Sequence, residues 1–217
     1  TRKTAMIIIS HDLAVISRLT TQVLVMKEGN MVESGKTKDV LAHPRHPYTQ
    51  QLLSARKALF KINGHSAEND SSIFLKQEFR NIEEAELQSN SAVLLNVQHL
   101  SVQFEKRNGL FSTSKEIISA LDNVSFQIQK GETLGLVGES GCGKTTLAKT
   151  IVQLIEPESG ELFFEGLNPL LLNKKELREF RRKTQMIFQD PFSSLNPKMK
   201  IGDMLTELME VHGLHEN

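Results

Sequence analysis

The segment GESGCGKT at residues 138–145 constrains the fold of this chain more than any other feature of its sequence. It fits the pattern G-x-x-x-x-G-K-[ST] at every required position. A short apolar run at 133–137 precedes it, and apolar residues at helical spacing follow it from 145 to 155. A buried strand that runs through such a loop into a helix is typical of α/β proteins with a parallel sheet. We therefore expect an α/β fold in which residues 133–137 form a buried strand.

The residue types in this loop suit the binding of nucleotide phosphates. Glycine permits successive backbone N–H groups to turn inward, and the following helix adds the partial positive charge of its N-terminus. Lys144 supplies a mobile positive charge for the β- and γ-phosphates, and the Thr145 hydroxyl is suited to ligate Mg²⁺. The predicted nucleotide-binding residues of the loop are Gly138, Glu139, Ser140, Gly141, Cys142, Gly143, Lys144, Thr145 and Thr146.

The composition disfavours several other classes of protein. Lys and Arg together number 26, as do Asp and Glu, so the chain has no broad positive charge to attract nucleic acid or anionic lipid. One cysteine cannot form an internal disulfide, which suits a reducing cytoplasm. No apolar run approaches the roughly 20 residues of a membrane-spanning helix. The basic run at 174–183 is interrupted by glutamates and predicts a solvated helix face.

The first 55 residues predict a strand, a helix and a hairpin in succession. Residues 5–10 are an apolar, largely β-branched run, which favours a strand buried on both faces of a parallel sheet. His11 and Asp12 follow it, and Asp12 is a suitable N-cap for a helix that begins at Leu13. The remaining predictions are a hairpin over 22–34, a helix at 37–42, a turn at 43–47 and a helix through 53.

The rest of the chain divides into a linker and a second ordered part. Residues 56–92 are predicted to be a linker, because 64–72 contain no apolar anchor, although 73–87 are a candidate amphipathic helix. Strands are predicted at 94–104, 124–128, 162–164 and 185–188, with a loop at 105–115 and helices at 174–183 and 201–212. The alternating pattern of the first two of these strands favours an antiparallel pair.

Three further segments resemble parts of the ATPases of ATP-binding cassette (ABC) transporters. QMIFQDPFSSLNP at 185–197 resembles the Q-loop of this family, and IISHDL at 8–13 resembles its switch-histidine loop. HPRHPYT at 43–49 resembles the tail of the oligopeptide and dipeptide importer subgroup. Phe104 stands where the family carries an aromatic residue that stacks on adenine, although packing within an alternating strand explains it equally well.

The resemblance implies both a fold and an activity. The fold is that of a P-loop NTPase, with a RecA-like parallel sheet core and an antiparallel β subdomain, and the activity is hydrolysis of ATP with Mg²⁺. ATP in this family lies between the loop of one domain and the signature motif of another. By resemblance His11 contacts the γ-phosphate, and Gln189 binds Mg²⁺ and water. The implied catalytic residues are thus Gln189 and His11, and the implied metal ligands are Thr145 and Gln189.

The motifs stand in an order that differs from that of a single ABC domain. In the family the adenine aromatic, the loop and the Q-loop precede the histidine, whereas here His11 and the 43–49 tail come first. The chain therefore resembles the end of one ABC domain (1–55), a linker (56–92) and the beginning of a second (93–217), as in tandem importers of the microcin C and oligopeptide type. The sequence contains no LSGGQ-like segment and no apolar run ending in Asp-Glu. Both domains are expected to be incomplete, with weak nucleotide binding and negligible turnover.

The resemblance also implies partners and a location. The expected partners are membrane permease subunits, a second ABC domain and, indirectly, a periplasmic peptide-binding protein, but no nucleic acid. The expected location is the cytoplasmic face of the inner membrane. Two other functions remain open: a non-catalytic remnant that only binds nucleotide, and a soluble ABC protein that acts on ribosomes or DNA.

Two structural alternatives remain open as well. The family places the histidine strand beside the loop strand, so residues 5–10 could dock beside 133–137 across the linker and bring His11 toward Lys144. Otherwise His11 serves the site of a different loop. His43 and His46 have a loose metal-like spacing, but no Cys or carboxylate cluster accompanies them, which favours a surface turn.

Overall fold

The computed structural model describes residues 4–62, 92–107, 115–188, 190 and 195–211. Its strands are β1 (Met6–Ile9), β2 (Gln22–Lys27), β3 (Asn30–Lys36), β4 (Val93–Arg107), β5 (Lys115–Gln129), β6 (Thr133–Val137) and β7 (Ser159–Phe164). Its helices are α1 (Leu13–Leu19), α2 (Thr37–Ala42), α3 (Pro47–Ile62), α4 (Lys144–Ile151), α5 (Lys174–Lys183) and α6 (Ile201–Val211), and a 3-10 turn spans Pro169–Leu171. Within these described residues no helix combines the length and the apolar content needed to cross a membrane.

The larger sheet is built from two segments that are distant in the sequence: a first segment, residues 4–55, contributes β1, β2 and β3, and a second segment, from residue 92 onward, contributes β6. Its strand order is β1-β6-β2-β3, and β6 pairs in parallel with β1 on one side and with β2 on the other. Gly135, in the middle of β6, is paired with Ile8 of β1 and with Val23 of β2. Strand β3 returns antiparallel to β2. Of the two structural alternatives, the structure thus contains the one in which residues 5–10 dock beside 133–137.

Strand β1 is less buried than its sequence predicts. The run at 5–10 favours burial on both faces, but β1 is an edge strand and 49% of Met6 is exposed. Strand β6, by contrast, is buried from Leu134 to Val137, as its sequence predicts. An apolar composition shows that a strand is suited to burial, but it does not fix the number of neighbouring strands.

The smaller sheet is antiparallel, with β4 between β5 and β7. Leu95 of β4 is paired with Ile128 of β5 and with Phe164 of β7. The parallel core of the larger sheet and this separate antiparallel sheet together confirm the predicted α/β fold class. Strands β4 and β5 are longer than predicted, because their pairing continues to Arg107 and Lys115, inside the loop expected at 105–115.

Two apolar clusters hold the two segments together. The first contains side chains from both sheets and from α4, including Leu24 of β2, Leu136 of β6 and Leu147. The second lies on the other face of β6, where α1 approaches so closely that a Cβ on Gly135 would be 2.9 Å from Ile16 Cγ2. Both clusters combine side chains of residues 4–55 with side chains of β6. Burial of apolar surface therefore favours the association of the two segments.

Two element boundaries differ from the prediction. Helix α4 ends at Ile151 rather than at 155, because Gln153 has a left-handed backbone (φ 58) and the Leu154 N–H donates to the Lys149 carbonyl at 2.8 Å. Helix α3 continues to Ile62 and so enters the predicted 56–92 linker. The rest of that linker up to residue 91, with the candidate helix at 73–87, lies outside the described residues.

The prediction of a strand at 185–188 is wrong. In the described part of the chain this segment pairs with no strand, and 90% of Ile187 is exposed. A short apolar run becomes a strand only where a neighbour accepts and donates its backbone hydrogen bonds. Among the described strands the sheet ends at β1, which pairs with β6, and 185–188 does not add to it.

Candidate functional site

The glycine-rich loop leaves the sheet at the carboxyl end of β6. Gly138 follows β6 directly with φ 150, and a Cβ at this position would lie 2.2 Å from the Met26 carbonyl oxygen of β2. Any other residue would collide with the neighbouring strand, so glycine is required for the loop to start there. The requirement arises from β2, which belongs to the first segment of the chain.

Lys144 folds back onto the loop that it follows. Its Nζ donates to the carbonyl oxygens of Gly138 at 2.9 Å and Glu139 at 2.7 Å, and to Cys142 Sγ at 3.3 Å. The side chain therefore lies along the loop, with its charge inside the curve of the backbone. A phosphate oxygen placed there can take over these hydrogen bonds, because bonds from an ammonium group to an anion are stronger than bonds to a neutral carbonyl.

Helix α4 begins at this loop and directs its N-terminus toward it. Gly143 is the N-cap, in a left-handed conformation with φ 102. The N–H groups of a first helical turn have no acceptor within the helix, and they carry the positive end of its dipole. The Thr145 side chain is exposed at this end of the helix, and Thr146 is partly buried. These groups fit a phosphate and a hard cation such as Mg²⁺, which prefers oxygen ligands.

The hairpin of the first segment holds the other side of the loop. Gly29, in the turn between β2 and β3, donates its N–H to the Cys142 carbonyl at 3.2 Å and accepts from the Asp122 N–H at 2.9 Å. Cys142 itself is only 5% exposed and belongs to the first apolar cluster. The turn therefore bridges the loop to β5, and Cys142 acts as a buried packing residue.

A second contact from the first segment reaches the loop through Tyr48, at the start of α3. The Glu139 N–H donates to Tyr48 Oη at 3.0 Å, and Lys27 Nζ lies 5.4 Å from the centre of the tyrosine ring. Tyr48 is 5% exposed. Burial raises the pKa of Tyr48, and the hydrogen bond from Glu139 offsets this only in part. The sequence did not predict this contact, because HPRHPYT indicates only a turn and a resemblance to the tail of the importer subgroup.

Glu33 on β3 fixes the turn that carries Tyr48. Its carboxylate accepts from the Arg45 N–H at 2.8 Å and from the His46 N–H at 3.1 Å, and His46 Nδ1 accepts from the Tyr48 N–H at 3.1 Å. Burial alone would raise the pKa of Glu33, but the hydrogen bonds to its carboxylate lower it below the ordinary value. His43 is exposed, as a surface turn requires.

Three other residues were predicted for this site: His11, Phe104 and Gln189. The Ser10 N–H donates to the Leu136 carbonyl at 3.2 Å, which places the exposed His11 at the same edge of the sheet as Gly138. Phe104 is 41% exposed on β4. It is paired with Ile118 on β5, the strand that also meets the β2–β3 turn at Gly29 and the loop at Gly143. Gln189 lies outside the described residues.

The basic helix α5 has the solvated face that its sequence predicts. Its lysines and arginines are exposed, whereas Phe180 is buried and stacks edge to face on Phe164, with ring centroids 5.3 Å apart. Lys183 Nζ forms an ion pair with Glu165 at 2.7 Å. Among the described residues no group of three or more His, Cys, Asp or Glu side chains has the arrangement of a metal site.

Comparison with known proteins gives these features a family context. Residues 121–216 match the family described as ABC transporter. The chain is 37% identical over 212 residues to the glutathione import ATP-binding protein GsiA of Salmonella typhimurium, and 36% identical over 213 residues to that of Pectobacterium atrosepticum. These alignments cover 96% and 97% of the chain. They cover 34% of each relative, so the chain spans about one third of the length of the relatives it matches.

Solved structures match parts of the chain. The ATP-binding cassette MJ0796 bound to ADP and Pi is 29% identical, with a TM-score of 0.36, over 41% of this chain and 35% of that one. A bacterial Atm1-family ABC exporter with ATP bound is 20% identical, with a TM-score of 0.29, over 60% of this chain and 23% of that one.

Proposed function

We propose that this chain is the nucleotide-binding part of an ATPase that drives peptide import, because residues 121–216 match the family described as ABC transporter and the chain is 37% identical to an import ATP-binding protein. The observation that carries the proposal is the loop at 138–143, which joins the buried strand β6 to the N-terminus of α4 and holds the ammonium group of Lys144. The relatives are named for import of glutathione, which is itself a small peptide, and this supports a peptide as the transported solute.

In this proposal the loop and the first turn of α4 bind the phosphates of ATP. The backbone N–H groups there and Lys144 neutralise the phosphate charge, and the Thr145 hydroxyl is the ligand for Mg²⁺. When bound, Mg²⁺ would supply positive charge that offsets the negative charge of the phosphates. Lys144 exchanges the carbonyls of Gly138 and Glu139 for phosphate oxygens, so the side chain that binds the ligand is already at the loop.

The remaining proposed site residues are His11, Phe104 and Gln189. His11 is a candidate contact for the γ-phosphate, supported by the parallel pairing of β1 with β6, which brings it to the loop edge of the sheet. Phe104 is a candidate adenine platform, supported by its exposure and by the approach of β5 to the loop. Gln189 remains a candidate Mg²⁺ and water ligand on the resemblance alone.

We further propose that residues 1–55 and 93–217 are the end and the beginning of two successive ABC domains, joined by the segment 56–92. The order of the motifs and the alignment to one third of each relative support this division. Hydrolysis in this family also needs a signature motif and a glutamate that orients water, and the sequence contains neither segment. This chain by itself is therefore expected to bind Mg-ATP without appreciable turnover.

The partners follow from the same assignment. Membrane permease subunits would receive the conformational change, and a second ABC domain would complete the ATP site. A periplasmic peptide-binding protein would act indirectly, by delivering the solute to the permease. The proposed location is the cytoplasmic face of the inner membrane, as a peripheral subunit.

The proposed function is tested by titrating the purified chain with Mg-ATP in a calorimeter and by measuring steady-state release of phosphate. We expect saturable binding of one nucleotide and no phosphate release above background. Absence of binding would refute the proposal. Turnover above background would contradict the claim that the chain lacks a residue that orients water. Binding of RNA or DNA in a parallel assay would instead favour the soluble ABC protein that acts on ribosomes or DNA.

A further inference from the structure

Tyr48 connects the tail motif of the first segment to the phosphate-binding loop of the second. We propose that Tyr48 is a positioning residue for this loop, and that its hydroxyl fixes the loop by accepting the Glu139 N–H. The inference rests on the proposed function, because its effect is on nucleotide binding. It adds to that function a residue that lies 90 positions before Gly138 in the sequence.

The tyrosine ring is itself held in place. Tyr48 belongs to the second apolar cluster, together with Val25 of β2 and Val137 of β6. The hydroxyl therefore projects from a fixed platform beside the strand that leads into the loop. An acceptor on a buried, packed ring loses little rotamer freedom when it bonds, which makes it suited to fixing a backbone group.

The backbone at Tyr48 is fixed by a second set of bonds. His46 Nδ1 accepts the Tyr48 N–H at 3.1 Å, and the Glu33 carboxylate accepts the N–H groups of Arg45 and His46. These bonds tie the HPRHPY turn to strand β3. The turn thus has a set geometry from which Tyr48 extends toward the loop.

Glu139 passes this constraint to the phosphate-binding lysine. Its N–H is bound by Tyr48, while its carbonyl accepts Lys144 Nζ at 2.7 Å and the Cys142 N–H at 3.3 Å. Fixing the N–H side of this residue therefore fixes the carbonyl against which the lysine rests. Without the tyrosine hydroxyl the first half of the loop can rotate. Nucleotide binding must then order the loop, and this entropic cost lowers the affinity.

The test is the substitution Tyr48→Phe, which keeps the ring and removes only the hydroxyl. We expect its dissociation constant for Mg-ADP to rise by about 3- to 10-fold, the effect of one lost hydrogen bond. A second readout is hydrogen exchange, in which the Glu139 amide should exchange faster while the Leu136 amide in β6 is unchanged. A general loss of structure would accelerate both amides.

The matched control is Lys27→Met, which removes the cation over the ring and leaves the hydroxyl. Binding of Mg-ADP within about twofold of that of the unmodified chain is expected for this variant. An unchanged affinity and an unchanged Glu139 exchange rate in Tyr48→Phe would overturn the inference, as would equal losses in the two variants.

The chain contains one tyrosine, so incorporation of 3-fluorotyrosine labels Tyr48 alone. Addition of Mg-ADP should shift this single ¹⁹F resonance with the dissociation constant measured by calorimetry, and an unshifted resonance in a saturated sample would count against the contact. If the unmodified chain fails to bind Mg-ADP, the proposed function fails. The Glu139 exchange rate then decides the role of Tyr48: faster exchange in Tyr48→Phe supports it and equal exchange overturns it.

Discussion

Replacing Lys144 by alanine is expected to weaken binding of Mg-ATP by about one to two orders of magnitude. The reason is that the variant loses hydrogen bonds from a charged donor to phosphate, which contribute about 1.5–3 kcal/mol. The lysine already lies in the loop, with Nζ at 2.9 Å and 2.7 Å from the Gly138 and Glu139 carbonyls. Calorimetric titration of the unmodified chain and of Lys144→Ala measures the effect.

The matched control for this substitution is Lys149→Ala. Lys149 lies in the last turn of the same helix, α4, so its loss makes the same change in net charge away from the loop. The affinity of Lys149→Ala for Mg-ATP should stay within about twofold of that of the unmodified chain, because a partly exposed charge at the far end of α4 interacts only weakly with the nucleotide at physiological salt. Equal affinities of Lys144→Ala and the unmodified chain would show that nucleotide binds elsewhere.

The second large effect is expected on stability, from Gly143→Ala. Gly143 has φ 102, and a Cβ there would lie 2.4 Å from the Ala120 carbonyl oxygen and 2.9 Å from Leu121 Cδ2. The left-handed backbone costs an alanine about 1–2 kcal/mol, and overpacking adds about 1–3 kcal/mol. The free energy of unfolding, measured with urea, should therefore fall by about 2–5 kcal/mol.

Gly166→Ala separates these two contributions. Gly166 also has a left-handed backbone, with φ 82, but a Cβ there would have no heavy atom within 4 Å. This variant should lose only the backbone contribution of about 1–2 kcal/mol. If Gly143→Ala is no more destabilising than Gly166→Ala, the close approach of β5 to the loop is not present in solution.

The local pattern of the sequence was sufficient to predict the loop and its surroundings. The spacing of glycine and lysine at 138–145, the apolar run before it and the helical period after it gave the β6–loop–α4 unit. Asp12 is the N-cap of α1 as predicted, with its carboxylate accepting the Ala14 N–H at 2.9 Å. These features depend on residues that are neighbours in sequence, so a pattern of spacing contains the information.

Contacts between distant segments could not be predicted in the same way. Nothing in the composition of HPRHPYT indicates that the tyrosine would meet Glu139, or that Gly29 would donate to the Cys142 carbonyl. These contacts exist because β2 pairs with β6, a pairing that depends on the whole fold. The family resemblance suggested that β1 could lie beside β6, but it left the choice open.

The segment at 185–188 shows that a local pattern can also predict an element that does not form. Its apolar composition predicts a strand, yet Ile187 is 90% exposed and the segment is not paired within the described residues. Strand propensity describes fitness for a pleated surface, and a strand forms only where another strand is available. The pattern alone does not say whether that neighbour is present.

The central claim is that the phosphate-binding loop rests on a sheet whose flanking strands come from residues 4–55, and a disulfide tests it most directly. Met6 and Thr133 are partners in the β1–β6 pairing, and adjacent strands are about 4.8 Å apart, within the Cα range of about 4.4–6.8 Å for disulfides. Met6→Cys with Thr133→Cys should oxidise to an intramolecular disulfide, resolved by gel mobility and mass spectrometry. His11→Cys with Thr133→Cys, about 16 Å out of register, should not.

The single variants Met6→Cys and Thr133→Cys show whether either new cysteine pairs with Cys142, which is buried and should stay reduced. Rapid formation of the Met6–Thr133 disulfide within one chain is the result that the account predicts. Failure of this pair to oxidise, or a disulfide found only between two chains, would contradict it.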